Sequence, residues 1–299
     1  MSVLWDFIMA MMSESFLSKP IWTANDIPDL TGKVMIMTGG FSGLGLEATK
    51  VLLARGAIVY VVCHDLTKTS GARSLKLEMA DLDSVKTAAD ENELRLDVLY
   101  NSGGVMFPPI DMVSPQGCDL QFATHVLGVS FLSRQTLLML VLLETAKKDP
   151  ANKTRVISLS SGAQHPHSIS FDTFKGDPAR RQLTTEALYA QSKFGTVVCA
   201  KELARRYGDA GIVSLSMNPG NVNTNLHRRV TGAKKSMISW MLHLMVPNGI
   251  VTHLYAGTAR ETADCDGKYL IPWARVGKPR DPAIGEELWN WLEAQVAGR

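Results

Sequence analysis

The chain has 299 residues, of which 45% are hydrophobic and 20% are charged, and its 31 basic side chains nearly balance 29 acidic ones. A formal net charge of +2 argues against a nucleic-acid groove, and the apolar fraction excludes a disordered chain. The four cysteines stand far apart without a CxxC pair, which excludes a disulfide scaffold and favours reduced thiols in a cytoplasmic protein.

The N-terminal residues 3–12 are apolar, but the segment contains Asp6 and is too short to span a bilayer. We expect it to pack against the protein in preference to lying on a membrane surface. No linker rich in proline, glycine or serine divides the rest of the chain. We therefore predict an N-terminal extension over residues 1–30 and a single domain over residues 31–299.

Apolar runs alternate with helical patterns along this domain. The runs are continuously hydrophobic, which is typical of strands covered on both faces of a sheet. The predicted strands are 34–38, 58–63, 97–100, 155–159 and 212–217, and the predicted helices are 44–55, 84–93, 120–147, 188–207 and about 285–297. This alternation predicts the α/β class, with a Rossmann-type, doubly wound parallel sheet.

A glycine-rich turn, Thr38-Gly-Gly-Phe-Ser-Gly-Leu-Gly45, joins the first predicted strand to the first helix. Glycines there permit a tight turn and a close approach of the backbone to a pyrophosphate at the helix N-terminus. A plain strand–helix turn is the alternative, but the flanking strand and helix favour dinucleotide binding. The candidate cofactor contacts in this turn are Gly39, Ser42, Gly43, Leu44 and Gly45.

Four further motifs follow the turn in order: Asp97-Val-Leu-Tyr-Asn-Ser-Gly-Gly104, Ser160-Ser161, Tyr189-Ala-Gln-Ser-Lys193 and Asn218-Pro-Gly-Asn-Val-Asn-Thr224. Together with the TGxxxGxG spacing, they resemble the short-chain dehydrogenase/reductase family over about residues 30–275. The resemblance is strongest to the retinol-dehydrogenase-like branch and its fungal members, which points to secondary metabolism. Family membership implies hydride transfer between a nicotinamide cofactor and a hydroxyl or carbonyl group.

The predicted catalytic residues are Ser161, Tyr189, Lys193 and His125. Tyr189 and Lys193 are four residues apart and so share a helix face, where an ammonium group favours phenolate and lowers the phenol pKa. Tyr189 is then the general acid/base, and Ser161 donates a hydrogen bond to the oxygen on which charge develops. The resemblance also implies that Tyr189 and Lys193 contact the nicotinamide ribose.

The resemblance assigns the remaining cofactor positions. Asn101 lies beside the adenosine ribose, Glu78 faces the adenine, and Val222 and Thr224 hold the nicotinamide carboxamide. At the end of the second strand no acidic residue is available to bind a ribose diol, and His64 occupies the position at which relatives place an arginine for the 2′-phosphate. NADP is therefore favoured, with assistance from Lys68, and NAD is the alternative.

Two features depart from the family pattern. His125 replaces an asparagine that belongs to the family's catalytic set, and this change predicts reduced turnover because an imidazole cannot donate and accept as an amide does. If the second strand ends at residue 63 and the third covers 75–79, residues 64–74 are too few for the usual crossover helix. We expect that helix to be shortened or missing, and dinucleotide affinity to be weak.

A lid is predicted over about residues 225–250, where several methionines favour a hydrophobic alcohol or ketone that is retinoid-, steroid- or terpenoid-like. A buried helix is the alternative for this segment. His165 and His167 lack a third ligand, so a solvated loop is favoured over a metal site. A homo-oligomer through residues 120–147 and 188–207 is compatible with the family. A catalytically impaired relative that acts as a binding protein is the alternative function, supported by His125 and Ser102.

Overall fold

The computed structural model describes residues 14, 19–63, 72–76, 78–84, 95–134, 137–166, 168–175, 178–220, 222, 249–278 and 283–298. Within this part of the chain, eight strands form one sheet in the order β3-β2-β1-β4-β5-β6-β7-β8. The strands are β1 Val34–Thr38, β2 Ile58–Cys63, β3 Arg73–Lys76, β4 Val98–Asn101, β5 Thr154–Leu159, β6 Ile212–Met217, β7 Tyr269–Ile271 and β8 Arg275–Gly277. All neighbouring strands pair in parallel except β7 and β8, which are antiparallel.

The helices that matter for the site connect these strands. They are α1 Gly43–Ala54, α2 (Leu120–Phe122, a π-helical turn Ala123–Leu127, then Gly128–Arg134), α3 Leu137–Lys148, α4 Pro178–Arg181, α5 Thr185–Tyr207, α6 Val251–Thr258 and α7 Gly285–Val296. The predicted single helix over 120–147 is thus two helices at an angle of 54°. The final helix lies where the sequence places it.

Two hydrophobic layers cover the sheet. Alternate residues of β1 face opposite sides, as strand geometry requires: Ile36 packs in one cluster, whereas Met35 and Met37 pack in the other. Helices α2, α3, α5 and α7 cover the first face, and α1 and α6 cover the second. The prediction of a doubly wound parallel α/β sheet in a single domain is confirmed.

The third strand lies earlier in the chain than predicted. It spans Arg73–Lys76 and pairs with β2 from Tyr60 to Cys63, whereas the sequence analysis placed it at 75–79. A four-residue edge strand carries too little hydrophobic pattern to fix its register. Residues 64–71 lie outside the described part of the chain, so the expected shortening of the crossover helix stays a prediction. Most of the helix predicted at 84–93 lies outside it as well.

Part of the predicted N-terminal extension belongs to the core. Trp22, Ile27 and Leu30 are buried in the hydrophobic cluster between the second face of the sheet and helices α1 and α6. The rings of Trp22 and Tyr255 meet edge to face, with 5.6 Å between their centres. These contacts tie residues 22–30 to the second face of the sheet. Residues 3–12 lie outside the described residues.

No single helix among the described residues is long and apolar enough to cross a membrane. The bent pair Leu120–Ser133 and Leu138–Lys148 meets the requirement only by length and composition.

Candidate active site

The glycine turn packs tightly against the end of β4. Gly39 and Gly43 have φ angles of +69° and +51°, in the left-handed region that glycine adopts without strain. A Cβ atom on Gly39 would lie 2.8 Å from the Cα of Gly103, and one on Gly45 would lie 2.5 Å from the carbonyl oxygen of Gly39. The backbone of the turn is thus packed so closely that a side chain at Gly39 or Gly45 would not fit.

Ser42 is the N-cap residue of α1, but its hydroxyl makes no capping hydrogen bond. The first N–H groups of a helix have no partner within the helix and carry partial positive charge. The turn therefore presents backbone donors, and the side chain of Ser42 leaves them accessible. This arrangement fits an anionic diphosphate.

Thr38 connects the ends of β1 and β4. Its Oγ1 accepts hydrogen bonds from the backbone N–H groups of Ser102 (2.9 Å) and Gly103 (2.8 Å). Ser102 in turn has its Oγ 2.7 Å from Nε2 of His253 on α6. Burial lowers the pKa of His253 to about 4, so this imidazole is neutral. The sequence analysis did not identify His253, which no motif marks.

Asn101 ends β4 and is buried beside α2. Its Nδ2 donates to Oγ of Ser133 at 3.2 Å, while its Oδ1 has no partner among the described residues. A buried amide oxygen without a partner is costly, so it is a natural acceptor for a ligand hydroxyl. Glu78 is exposed beyond β3, where its Oε1 accepts from the N–H of Ala80 at 3.2 Å.

Leu44 and Val222 meet above the glycine turn. Gly249 lies between them, since a Cβ atom there would be 2.6 Å from Cγ2 of Val222 and 3.2 Å from Cδ2 of Leu44. The chain after β6 therefore returns to the N-terminus of α1. The other predicted cofactor contacts, His64, Lys68 and Thr224, lie outside the described residues, as do His167 and residues 225–248.

Tyr189 and Ser161 form the centre of the candidate site. Tyr189 lies on α5 and Ser161 follows β5 by two residues, and the Ser161 hydroxyl is near enough to Tyr189 to affect its pKa. Ser161 Oγ accepts from the N–H of Ala163 at 3.2 Å, so this hydroxyl caps the short 3₁₀ helix that follows. Burial raises the pKa of Tyr189 to about 12, although the neighbouring Ser161 hydroxyl opposes the shift.

Lys193 lies one turn after Tyr189, as its spacing predicts. Its Nζ is 5.6 Å from the centre of the Tyr189 ring and donates a 2.9 Å hydrogen bond to the carbonyl oxygen of Leu159. Burial lowers the pKa of Lys193 to about 7. The expectation that the ammonium lowers the phenol pKa is therefore wrong in net direction, because burial disfavours both charged forms more strongly than proximity favours them.

His125 lies in the π-helical turn of α2 and is buried. Its Nε2 accepts from the backbone N–H of Val105 at 3.0 Å, so the proton is on Nδ1, which lies 2.8 Å from Oγ of Ser192. The Ser192 hydroxyl in turn donates a 2.7 Å hydrogen bond to the carbonyl oxygen of Tyr189. Burial and the nearby Lys193 hold the pKa of His125 well below its ordinary value. The imidazole is neutral and its tautomer is fixed.

Gly104 lies between His125 and Lys193. A Cβ atom on Gly104 would be 2.9 Å from Nε2 of His125 and 3.9 Å from Nζ of Lys193. Any larger residue at this position would displace the imidazole from its bond with Val105. The second glycine of the Gly103-Gly104 pair is thus required by the packing of the catalytic side chains.

An apolar wall faces Tyr189 and consists of Met106, Phe107 and Ala163. The Phe107 ring meets the Tyr189 ring edge to face at 5.4 Å, and the Phe107 N–H donates to Oε1 of Gln121 at 3.0 Å. Phe107 has a φ of +51°, which is uncommon for a bulky residue and often marks functional sites. This wall was not predicted, although the apolar run Val105–Phe107 directly after Gly103-Gly104 was its signal in the sequence.

The prediction that His165 lies in a solvated loop is wrong, because its side chain is buried. Its side chain is only 10% exposed, and its Nε2 is 2.8 Å from Oε1 of Glu14. The partner comes from 151 residues earlier in the chain, so no local pattern reveals it. Among the described residues, no cluster of histidine, cysteine, aspartate or glutamate has the form of a metal site.

Comparison with curated proteins gives a clear family. A short-chain dehydrogenase/reductase of Armillaria gallica is 44% identical over 96% of this chain and 97% of its own length. Human retinol dehydrogenase 12 is 29% identical over 87% of this chain and 85% of its own length. No family model matches the chain.

Two solved structures share the fold at low sequence identity. A 3-ketoacyl-(acyl-carrier-protein) reductase from Brucella melitensis, complexed with NADH, has a TM-score of 0.62 and 21% identity over 81% of this chain and 96% of its own. An NADPH-bound carbonyl reductase from chicken fatty liver has a TM-score of 0.59 and 19% identity over 85% and 97%. With a fungal relative at 44% identity over nearly its full length, the chain belongs to the short-chain dehydrogenase/reductase family of oxidoreductases.

Proposed function

We propose that the protein is an NADP(H)-dependent oxidoreductase that interconverts a hydroxyl and a carbonyl group on a hydrophobic small molecule, with Tyr189 as the general acid/base. The observation that carries the proposal is the meeting of Ser161, Tyr189 and Lys193 at the carboxyl ends of the strands. In open parallel sheets this edge forms the ligand crevice.

Each side chain of the site has its own role in the proposed reaction. When bound, the nicotinamide supplies or accepts the hydride. In the reductive direction, the Tyr189 hydroxyl gives its proton to the carbonyl oxygen, and Ser161 donates a hydrogen bond to the same oxygen as charge develops. Lys193, held by the carbonyl oxygen of Leu159, holds the nicotinamide ribose. In the oxidative direction, Tyr189 takes the proton from the alcohol.

The candidate cofactor residues would hold a dinucleotide at several points. The turn from Gly39 to Gly45 would bind the pyrophosphate, and Asn101 Oδ1 would accept from the adenosine ribose. Val222 and Thr224 would hold the carboxamide. Glu78 is the candidate for the adenine. NADP is preferred on the strength of His64 and Lys68 and of the missing acidic residue at the end of β2, while the NADH complex of one structural neighbour keeps NAD as the alternative.

The substrate is proposed to be apolar. Met106 and Phe107 present hydrophobic surface beside Tyr189, and the predicted lid over about 225–250 adds methionines. A retinoid-, steroid- or terpenoid-like alcohol or ketone suits such a wall. We place the reaction in the secondary metabolism of a fungal cell, in the cytoplasm, and propose that the protein acts as a homo-oligomer through α2 and α5.

A catalytically impaired binding protein is the second candidate, and the position of His125 favours it. The imidazole is committed to Val105 and Ser192 and offers no bond to Lys193. A proton relay behind Lys193 would then lack the group that the family places there. The intact Ser161, Tyr189 and Lys193 favour the enzyme, because a binding protein has no need to keep all three.

Two titrations separate these candidates. NADPH is first added to the full-length protein while tryptophan fluorescence is followed, and NADPH consumption is then measured with a panel of apolar ketones. If the protein is the proposed enzyme, NADPH quenches its tryptophan fluorescence and is consumed with at least one ketone. Binding without turnover across the panel favours the impaired relative. The absence of NADPH binding contradicts the NADP proposal and also favours the impaired relative.

A further inference from the structure

Glu14 is a buried carboxylate that precedes all five motifs in the chain. Its side chain is 5% exposed, yet it contacts three polar groups. Oε1 lies 2.8 Å from Nε2 of His165, and Oε2 accepts from Nδ2 of Asn218 at 2.6 Å and from Oη of Tyr269 at 3.2 Å. A carboxylate this deep is tolerated only when such partners compensate for its lost hydration.

The three partners come from three neighbouring strands. His165 follows β5, Asn218 directly follows β6, and Tyr269 begins β7. Burial and the adjacent Glu14 raise the pKa of Tyr269 well above its ordinary value, so its hydroxyl is a donor to the carboxylate. One side chain from the N-terminal region therefore joins the segments that follow β5 and β6 to the start of β7.

The contact with Asn218 reaches the nicotinamide segment. Because Asn218 Nδ2 points at Glu14, its Oδ1 is turned toward the N–H of Gly220, from which it accepts at 3.0 Å. Gly220 has a φ of +84° and stands two residues before Val222 in the chain. Glu14 thus selects the amide orientation that fixes this turn.

The contact with His165 reaches the catalytic serine. Ser161 caps the 3₁₀ helix Gly162–Gln164, and the N–H of His165 closes it by donating to the carbonyl oxygen of Gly162 at 3.4 Å. The side-chain amide of Gln164 lies against the same imidazole, 3.0 Å from Nε2 and 3.2 Å from Nδ1. Ser161 begins this 3₁₀ helix and His165 ends it. By binding the His165 imidazole, Glu14 therefore fixes the end of the turn that lies opposite Ser161.

We propose that Glu14 is a positioning residue that sets the Ser161 turn and the Gly220–Val222 segment relative to each other. The inference rests on the proposed oxidoreductase function, since positioning has consequences for rate only if Ser161 and the nicotinamide segment act together. Glu14 touches neither the reacting atoms nor the cofactor positions. Its effect passes through His165 and Asn218.

The test compares Glu14→Ala with Glu14→Gln in the full-length protein. Alanine removes all three contacts, and we expect kcat to fall by about 10- to 100-fold while KM for the ketone changes by less than about threefold. Glutamine keeps an oxygen for Asn218 and Tyr269 and places its amide nitrogen beside His165 Nε2, so kcat recovers to within about threefold of wild type. Glu144→Ala removes an exposed carboxylate paired with Lys147 and is the matched control.

A double variant distinguishes positioning from general loss of structure. If Glu14 acts through His165, adding His165→Ala to Glu14→Ala lowers kcat little further, because both changes remove one contact. Three results would overturn the inference. The first is a double variant whose loss of kcat is the product of the two single losses. The others are equal losses of kcat in Glu14→Ala and Glu14→Gln, and a wild-type kcat in Glu14→Ala.

A second readout remains informative if the wild type turns over no ketone, a result that would count against the proposed function alone. Hydrogen exchange is then measured for peptides covering residues 160–166 and 217–222. Faster exchange of both peptides in Glu14→Ala, but not in Glu144→Ala, supports the positioning role. Unchanged exchange in both peptides overturns it.

Discussion

Lys193 donates a 2.9 Å hydrogen bond to the carbonyl oxygen of Leu159 from a position where burial lowers its pKa to about 7. The ordinary value for a lysine is 10.5. Near neutral pH the side chain therefore changes charge in the folded protein, while in the unfolded chain it stays protonated. Lys193 is proposed to hold the nicotinamide ribose as a cation, and it loses that charge close to neutral pH.

This shift predicts how stability depends on pH. Above about pH 7 the unfolded chain binds the proton that folded Lys193 has lost, so the contribution of Lys193 to stability rises with pH until the ordinary value is reached. Lys193→Met removes a buried charge. We expect the variant to exceed the wild type in Tm at pH 6 and to lose that advantage at pH 9.

Thermal unfolding at the two pH values measures the effect. Lys201→Met, an exposed position on the same helix, is the control, and its difference from wild type should not change between pH 6 and pH 9. Tyr189 does not interfere, because its pKa of about 12 lies above the range. A constant difference for Lys193→Met would contradict the lowered pKa.

His125→Asn should raise kcat several-fold. The imidazole donates only to Ser192 and accepts only from Val105, whereas an amide at this position has donors and an acceptor in one plane. The expectation concerns turnover, so kcat is measured at saturating NADPH and ketone, with Tm recorded to detect any lost packing. An unchanged kcat in a variant of wild-type Tm would remove His125 as the cause of reduced turnover.

Much of the fold was readable because its strands are long and apolar. The continuous run Val34–Thr38 and the helix from Gly43 gave β1 and α1 within a residue of their observed bounds. The three-residue strand Tyr269–Ile271 was not predicted, because its pairing with Met217 depends on tertiary contacts. The shifted register of Arg73–Lys76 has the same origin.

The same distinction holds for the candidate site: local spacing could be predicted from the sequence, whereas tertiary contacts could not. The spacing of Tyr189 and Lys193 on one helix follows from periodicity alone, and the structure brings both to Ser161. The direction of their pKa shifts depends on burial, which no spacing reveals. The bond between Glu14 and His165 joins residues 151 apart, so only the folded chain could show it.

Tyr189→Phe should lower kcat by about 10²- to 10⁴-fold, the usual contribution of a general acid. The ring and its contact with Phe107 are retained, so NADPH affinity should stay within a few-fold of wild type. Tyr207→Phe is the control, since Tyr207 lies at the end of the same helix and its ring packs near Trp289, away from Ser161. Equal kcat values for the wild type and Tyr189→Phe would require a different proton donor.

Gly39→Ala should weaken both the fold and NADPH binding. The φ of +69° strains any residue with a Cβ, and that atom would lie 2.8 Å from the Cα of Gly103. Gly117→Ala is the matched control: Gly117 has a φ of +74°, but nothing lies within 4 Å of an added Cβ, so its substitution costs only the conformational strain of about 1 kcal/mol.

Because Gly39→Ala adds a backbone clash to the same strain, we expect it to lose about 2 kcal/mol or more. Urea unfolding measures this difference. NADPH quenching measures the second effect, since a turn that shifts to relieve the clash with Gly103 no longer has the conformation proposed to bind the pyrophosphate. Equal unfolding free energies and equal NADPH affinities in the two variants would show that the turn and the end of β4 do not press together as the structure places them.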